Sequence, residues 1–198
     1  MTIKKEIPHH DGLYFITFTC CRWIPLIAEA DAYYAVYTWF DYLKAQGHHI
    51  VAYVIMPNHL HLMLAFRNTL GKSINAIIGN GKRFMAYQIV KQLKAWNKTA
   101  LLKKLQRKVL MQEKLRGKVH EIFKRSFDWR ECVSKRFTLQ KLNYIHNNPC
   151  QGKWHLASKP ELYVHSSAKY YATGVQGEYE VLHYAALGDI DLSKPCGA

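Results

Sequence analysis

The stretch MPNHLHLML, residues 56–64, places two histidines two positions apart in an otherwise apolar run. On a strand, residues i and i+2 share a face. His59, His61 and Met63 therefore line one side, and Leu60, Leu62 and Leu64 line the other. The leucines can anchor the strand while the imidazoles project together, and two neutral imidazoles so placed can bind one divalent cation. The same spacing also fits two histidines on a solvated sheet face. A second stretch, KLNYIHNNP at residues 141–149, carries further chemistry. On a helix at about 100° per residue, Leu139, Leu142 and His146 cluster on one side. Tyr144 and Asn148 fall together roughly opposite, with Ile145 between the groups. A phenol and a carboxamide thus share a face away from the packing stripe, although a surface tyrosine and an asparagine before proline would give the same pattern.

These side chains need elements to hold them. LYFITFTCCR, residues 13–22, is aromatic and β-branched with Thr17 and Thr19 alternating, and predicts a strand. Residues 31–46 predict a helix with Asp31 as N-cap and Gly47 as stop. Residues 48–56 and 59–66 predict a hairpin about Pro57. From Leu70 to about Trp96 the apolar spacing is helical, with Ile74, Ile77, Ile78, Met85 and Ile89 as core positions, although Gly79 and Gly81 count against it. Residues 98–118 hold eight basic residues and one acidic, in a helix or a basic arm. Residues 119–134 suit a short strand or loop, and 137–147 a helix ending before Pro149. The order implies an α+β fold with helices on one face of an antiparallel sheet, for which a ferredoxin-like arrangement is an economical solution. One domain over residues 1–175 is expected, with a basic helical insert near 98–118 and a tail at 176–198.

Composition narrows the partner. Lys and Arg number 28 against 14 acidic residues, a formal charge of +14. Such an excess suits a polyanion, nucleic acid first. Lys82 and Arg83, with Lys103, Lys104, Arg107, Lys108, Lys114 and Arg116, would supply phosphate contacts, and Trp154, Tyr163, Tyr170 and Tyr171 are candidates to stack on bases or pack in the core. No apolar run reaches about 18 residues, and the opening MTIKKEIPHHDG lacks the apolar core of a signal peptide, so no membrane is expected and a cytoplasmic, nucleoid-associated location is. Five cysteines without a CxxC pair read as free thiols. TLGKS at 69–73 is not a P-loop, because the first glycine would fall at Phe66.

Taken together, PNHLHLML, NYIHNNP about 80 residues later, YFITFT near the start and the SSAKYY run within WHLASKPELYVHSSAKYYATG resemble the REP-associated tyrosine transposases, within the HUH single-tyrosine group. The resemblance runs from about Leu13 to Tyr171. It implies a ferredoxin-like domain with the HUH motif on a central strand, acting on single-stranded or hairpin DNA. It implies His59 and His61 as paired metal ligands, Asn148 as the third, and Tyr144 as the nucleophile. It implies Mg2+ or Mn2+, with phosphate oxygens completing the shell, whereas imidazole and carboxamide alone would also suit zinc or nickel. The basic insert is longer than a compact member needs, and FKRSFDWREC matches only loosely. Two other readings stay open: a hairpin-binding descendant that does not cut, and a metal hydrolase using water in place of tyrosine. A homodimer is compatible with the sequence, with the tyrosine helix serving its own or a partner subunit.

Overall fold

The computed structural model describes residues 10–68, 71–152 and 154–189. Outside them lie the N-terminal segment, Thr69 and Leu70, Cys196 and the rest of the expected tail from 190 onward. Strand β1 (Gly12–Thr19) is followed by a short helical turn α1 (Leu26–Glu29) and helix α2 (Tyr33–Ala45). Strands β2 (His49–Met56) and β3 (His59–Phe66) form the hairpin, with only Pro57 and Asn58 between them. Helix α3 (Ile74–Ala95), helices α4 (Thr99–Gln106) and α5 (Met111–Lys114), strand β4 (Asp128–Glu131), helix α6 (Lys135–Asn147) and helix α7 (Ala168–Thr173) complete the order. The sheet runs β2-β3-β1-β4 with every pairing antiparallel, the split βαβ order of a ferredoxin-like domain. The histidine strand β3 is central, between β2 and β1.

Helices α2 and α3 cover one face, where Leu60, Leu62, Leu64 and Phe66 meet Trp39, Phe40, Ile78 and Met85. The expectation of helices on a single face is incomplete. Helix α6 lies on the other face, where Leu142 and Ile145 pack with Phe15, Val54, Met56 and Met63. A strand buried on both faces needs no polar alternation, which is why β2 and β3 are nearly unbroken apolar runs.

Three local expectations change. Asp31 does not cap α2: it sits at φ 44, Ala32 is the N-cap, and no side-chain cap forms. Gly47 does terminate it, at φ 81. The basic stretch 98–118 is two docked helices rather than a free arm. Leu102, Leu105 and Val109 are buried. Lys118 bridges Glu113 (3.4 Å) and Glu121 (2.8 Å), and Arg125 grips Glu113 in a fork of 3.1 and 3.0 Å. The described part of the expected tail, 176–189, packs on the domain. Tyr179 stacks on Tyr37 at 5.5 Å and donates to Asp41 Oδ1 at 2.8 Å, because an aromatic side chain gains most when its ring is buried and its hydroxyl paired.

The β2 edge is covered by the chain itself. Ile55 N–H donates to the His165 carbonyl (2.9 Å), Ser167 N–H to the Tyr53 carbonyl (3.1 Å) and Leu182 N–H to the Ile50 carbonyl (2.9 Å). Hydroxyls of Tyr163 and Tyr171 donate to the Ile55 and Val51 carbonyls. These contacts satisfy an edge that would otherwise be open to pairing. Tyr163 and Tyr171 are therefore structural here rather than free to stack on bases. Among the described residues the four cysteines are free, and no helix is long and apolar enough to cross a membrane.

Candidate active site

The site is built around the Pro57–Asn58 turn. The segment after β1 clasps that turn: Cys20 N–H donates to the Asn58 carbonyl (2.7 Å) and Ile27 N–H to the Pro57 carbonyl (3.0 Å). The Asn58 side chain is buried, and its Nδ2 donates to the Trp23 carbonyl at 3.0 Å. That fixes Oδ1 as an acceptor, and it lies 2.7 Å from His59 Nδ1. His59 Nδ1 must then carry the proton, which leaves the Nε2 lone pair free. His61 is set in the same way. Its Nδ1 is 2.6 Å from Thr17 Oγ1, and its Nε2 is 3.3 Å from Asn148 Nδ2. With the Asn148 amide nitrogen toward Nε2, Nε2 is the acceptor and Nδ1–H donates to Thr17. Neutral Nδ1–H tautomers held by hydrogen-bond acceptors are the form in which imidazole serves as a ligand.

Helix α6 brings the remaining groups. Ser134 caps it, accepting from Phe137 N–H at 3.3 Å. At its far end His146 Nε2 meets Ser167 Oγ at 3.0 Å, and Ser167 Oγ accepts from Tyr53 N–H, also at 3.0 Å. The helix is thereby tied to β2 as well as packed through Leu142 and Ile145. This anchoring puts the Tyr144 ring edge-on to His61 at 5.0 Å and to Phe15 at 6.0 Å. Phe15 stacks on His61 from the sheet at 5.5 Å. Tyr144 is 48% exposed, so an incoming molecule can reach it. Lys141 stands one turn earlier, its ammonium over the rings of Phe15 (4.8 Å) and Tyr144 (5.7 Å). Asn148 reaches both imidazoles.

The donor set fits a divalent cation. His59 and His61 present unprotonated Nε2 atoms at a ring separation of 4.7 Å, and a half-turn of the Asn148 amide, which now meets His61 Nε2, would present its oxygen instead. Among the described residues no group of three or more His, Cys, Asp and Glu side chains gathers anywhere. A cation on this uncharged trio keeps its full charge and open positions for oxygen ligands from water or phosphate.

No protein-family model and no curated protein matches the sequence. Solved structures do. One is a REP-associated tyrosine transposase determined bound to a REP hairpin; the match covers 89% of this chain and 91% of that one at 15% identity, with a TM-score of 0.54. The chain has the fold of a REP-associated tyrosine transposase. A candidate transposase of Deinococcus radiodurans R1 is also similar, at 19% identity over 74% of this chain and 97% of that one, with a TM-score of 0.41.

Within this fold the basic residues divide. Arg83, Lys103, Lys104 and Arg107 are exposed and Lys108 partly so, and none pairs with a carboxylate among the described residues. Lys82 is different. Its ammonium donates to the carbonyls of Lys124 (2.5 Å), Arg125 (3.1 Å) and Ser126 (3.3 Å), and burial lowers its pKa to about 8. It holds a loop in place and is not available to phosphate. Trp154 is partly buried against the second core, beside α6, rather than presented as a stacking platform. Sequence reasoning passed over Asn58, Thr17, Phe15, Trp23 and Lys141. Asn58 and Thr17 were within reach, since a polar residue before or across from a candidate ligand is the usual means of orienting it.

Burial holds the histidine rings neutral. It lowers His48, His59 and His146 to about 4, against a small raising effect of Asn148 on His59, and lowers His61 well below 6.5. In the unfolded chain these rings take up protons near pH 6.5, so below that pH the unfolded state binds more protons than the folded one. Stability is complete above pH 6.5 and falls as the pH drops toward 4, by about 1.4 kcal/mol per pH unit for each such histidine. Urea midpoints measured from pH 7.5 to 4.5 should show that fall begin near 6.5; a flat series would contradict the buried neutral rings.

Proposed function

We propose that the chain is a divalent-cation-dependent transesterase of the tyrosine-transposase kind, nicking and rejoining single-stranded DNA beside a hairpin. The observation that carries this reading is the convergence, in one chain, of the Tyr144 phenol on an imidazole pair that Asn148 reaches from the same helix. The Tyr144 oxygen attacks phosphorus, the P–O3′ bond breaks, and the phenolic proton passes to the departing oxygen. The products are a 5′-phosphotyrosine ester and a free 3′-hydroxyl. The ester replaces an ester, so the same or another 3′-hydroxyl can reverse the step without ATP. His59 Nε2, His61 Nε2 and the Asn148 carboxamide oxygen would hold Mg2+ or Mn2+, which when bound polarises the phosphate and offsets its developing charge. Asn58 and Thr17 keep both imidazoles in the required tautomer. Lys141 adds positive charge beside the nucleophile. Arg83 and the α4 cations would bind the flanking phosphates, making affinity fall steeply with salt. The solved neighbour bound to a REP hairpin supports hairpin DNA as the partner.

The test uses hairpin-bearing single-stranded oligonucleotides from both flanks of this chain's own gene, labelled at either end, with Mn2+. The expected result is a denaturation-resistant protein adduct carrying the 3′-end label, with the 5′-end label on a shorter fragment, both abolished by a chelator. Tight, salt-sensitive binding with no adduct from any flank would leave a hairpin-binding protein that does not cut.

A further inference from the structure

Beside the histidine pair, next to His59, the backbone does something unusual. Arg22 and Trp23 are consecutive residues in the left-handed region, at φ 54 and φ 59. Neither residue type favours that conformation, and each such residue costs on the order of 1 kcal/mol or more unless its surroundings enforce it. Here Asn58 enforces it, since the amide that donates to the Trp23 carbonyl also accepts from His59. The product of the strain is an indole held at the site. Trp23 stands edge-on to His59 at 5.8 Å, yet it is 51% exposed, an uncommon fate for so large a ring. Lys124 holds its ammonium 4.5 Å from the centre of that ring. Arg22 and Lys124 are exposed, and neither pairs with a carboxylate among the described residues. Lys82 fixes the loop that carries Lys124 through three carbonyls.

An exposed indole with an unpaired cation over one face and another on the preceding residue matches a nucleotide, with the base on the open face of the ring and its phosphates on the cations. We propose that Trp23, with Arg22 and Lys124, binds one unpaired nucleobase, that of the nucleotide on the 5′ side of the cleaved phosphate. The choice of nucleotide rests on the proposed function. Displacement at phosphorus is in line, with the leaving oxygen opposite the attacking one. Tyr144 stands at His61 and Trp23 at His59, so the departing 3′-hydroxyl nucleotide is the one directed toward Trp23. Held there, it stays aligned for the return step.

The experiment reads binding rather than cleavage, on chains carrying Tyr144→Phe. Affinity is measured for the oligonucleotide that gives the adduct, or the most tightly bound hairpin oligonucleotide if none does, with an abasic site moved through each unpaired position. With Trp23 present, one position should cost about tenfold in affinity. With Trp23→Ala that position should cost less than about twofold, the intact oligonucleotide binding more weakly instead, while Trp23→Phe retains most of the effect. Where cleavage is mapped, the sensitive position should be the nucleotide 5′ of the cut. Abasic penalties that are the same with Trp23 and Ala at every position, or a sensitive position elsewhere than 5′ of a mapped cut, overturn the proposal. Failure of the adduct assay from every flank overturns the transesterase reading and with it the assignment to the nucleotide 5′ of the cut, while the abasic series still decides whether Trp23 binds a base.

Discussion

Tyr144→Phe should remove the protein–DNA adduct altogether and lower strand cleavage by about 10^3-fold or more, while hairpin affinity stays within about threefold. The substitution deletes one oxygen from a half-exposed ring, and a phenylalanine ring keeps the ring-to-ring contacts with His61 and Phe15, so the fold and the shape of the site persist. Surface changes of this kind usually move stability by less than about 0.5 kcal/mol. The experiment separates two chemistries sharply. If water were the nucleophile, the His59–His61–Asn148 trio would be intact in the variant and cleavage would continue, with no covalent intermediate in either chain. Quantifying released fragment as well as adduct therefore decides between tyrosine and water in a single time course.

The largest effect on stability is expected at a glycine. Gly81→Ala would drive a methyl carbon into the Trp39 indole, against Cε2 and Nε1. Trp39 cannot retreat easily, because it is buried and packed edge-on to Phe18 at 5.9 Å and against Phe40 at 5.7 Å. Overpacking of this degree costs about 3 kcal/mol, which the helix preference of alanine, under about 1 kcal/mol, offsets only in part. For a chain of this size the melting temperature should fall by about 5–10 °C. Gly79 lies two residues earlier in the same helix, and a methyl carbon there would meet nothing within 4 Å. Gly79→Ala should therefore raise stability by about 0.5–1 kcal/mol. Thermal unfolding of the two variants should move in opposite directions, and a shift of the same sign in both would refute the packing argument.

Those two glycines show where the sequence was legible and where it was not. Both look like helix weakeners in one dimension; only the approach of α2 to α3 distinguishes them. The β2–β3 hairpin, the end of α6 before Pro149 and the shared face of His59 and His61 follow from local pattern, whereas the Ser134 cap and the start of α6 at Lys135, two residues before the expected 137, were missed. The second covered face was written in the sequence too, in the unalternating HIVAYVIM, but an apolar run does not say what will cover it. Lys82 carries the same charge as Arg83, and nothing in the chain predicts that one will be consumed by loop carbonyls. The left-handed Arg22–Trp23 pair was least legible of all, since neither residue type favours it and its cause, the Asn58 amide, lies 35 positions away from Trp23.

The tether from His146 through Ser167 to Tyr53 has a consequence for kinetics. It folds α6 back onto the sheet that the same polypeptide supplies, so phenol, imidazoles and carboxamide of one chain meet through that chain's own contacts. If each copy works through this arrangement, mixing a His59→Ala chain with a Tyr144→Phe chain should restore no cleavage and dilution should leave the rate per chain unchanged; restored cleavage would show that the tyrosine helix is shared between copies.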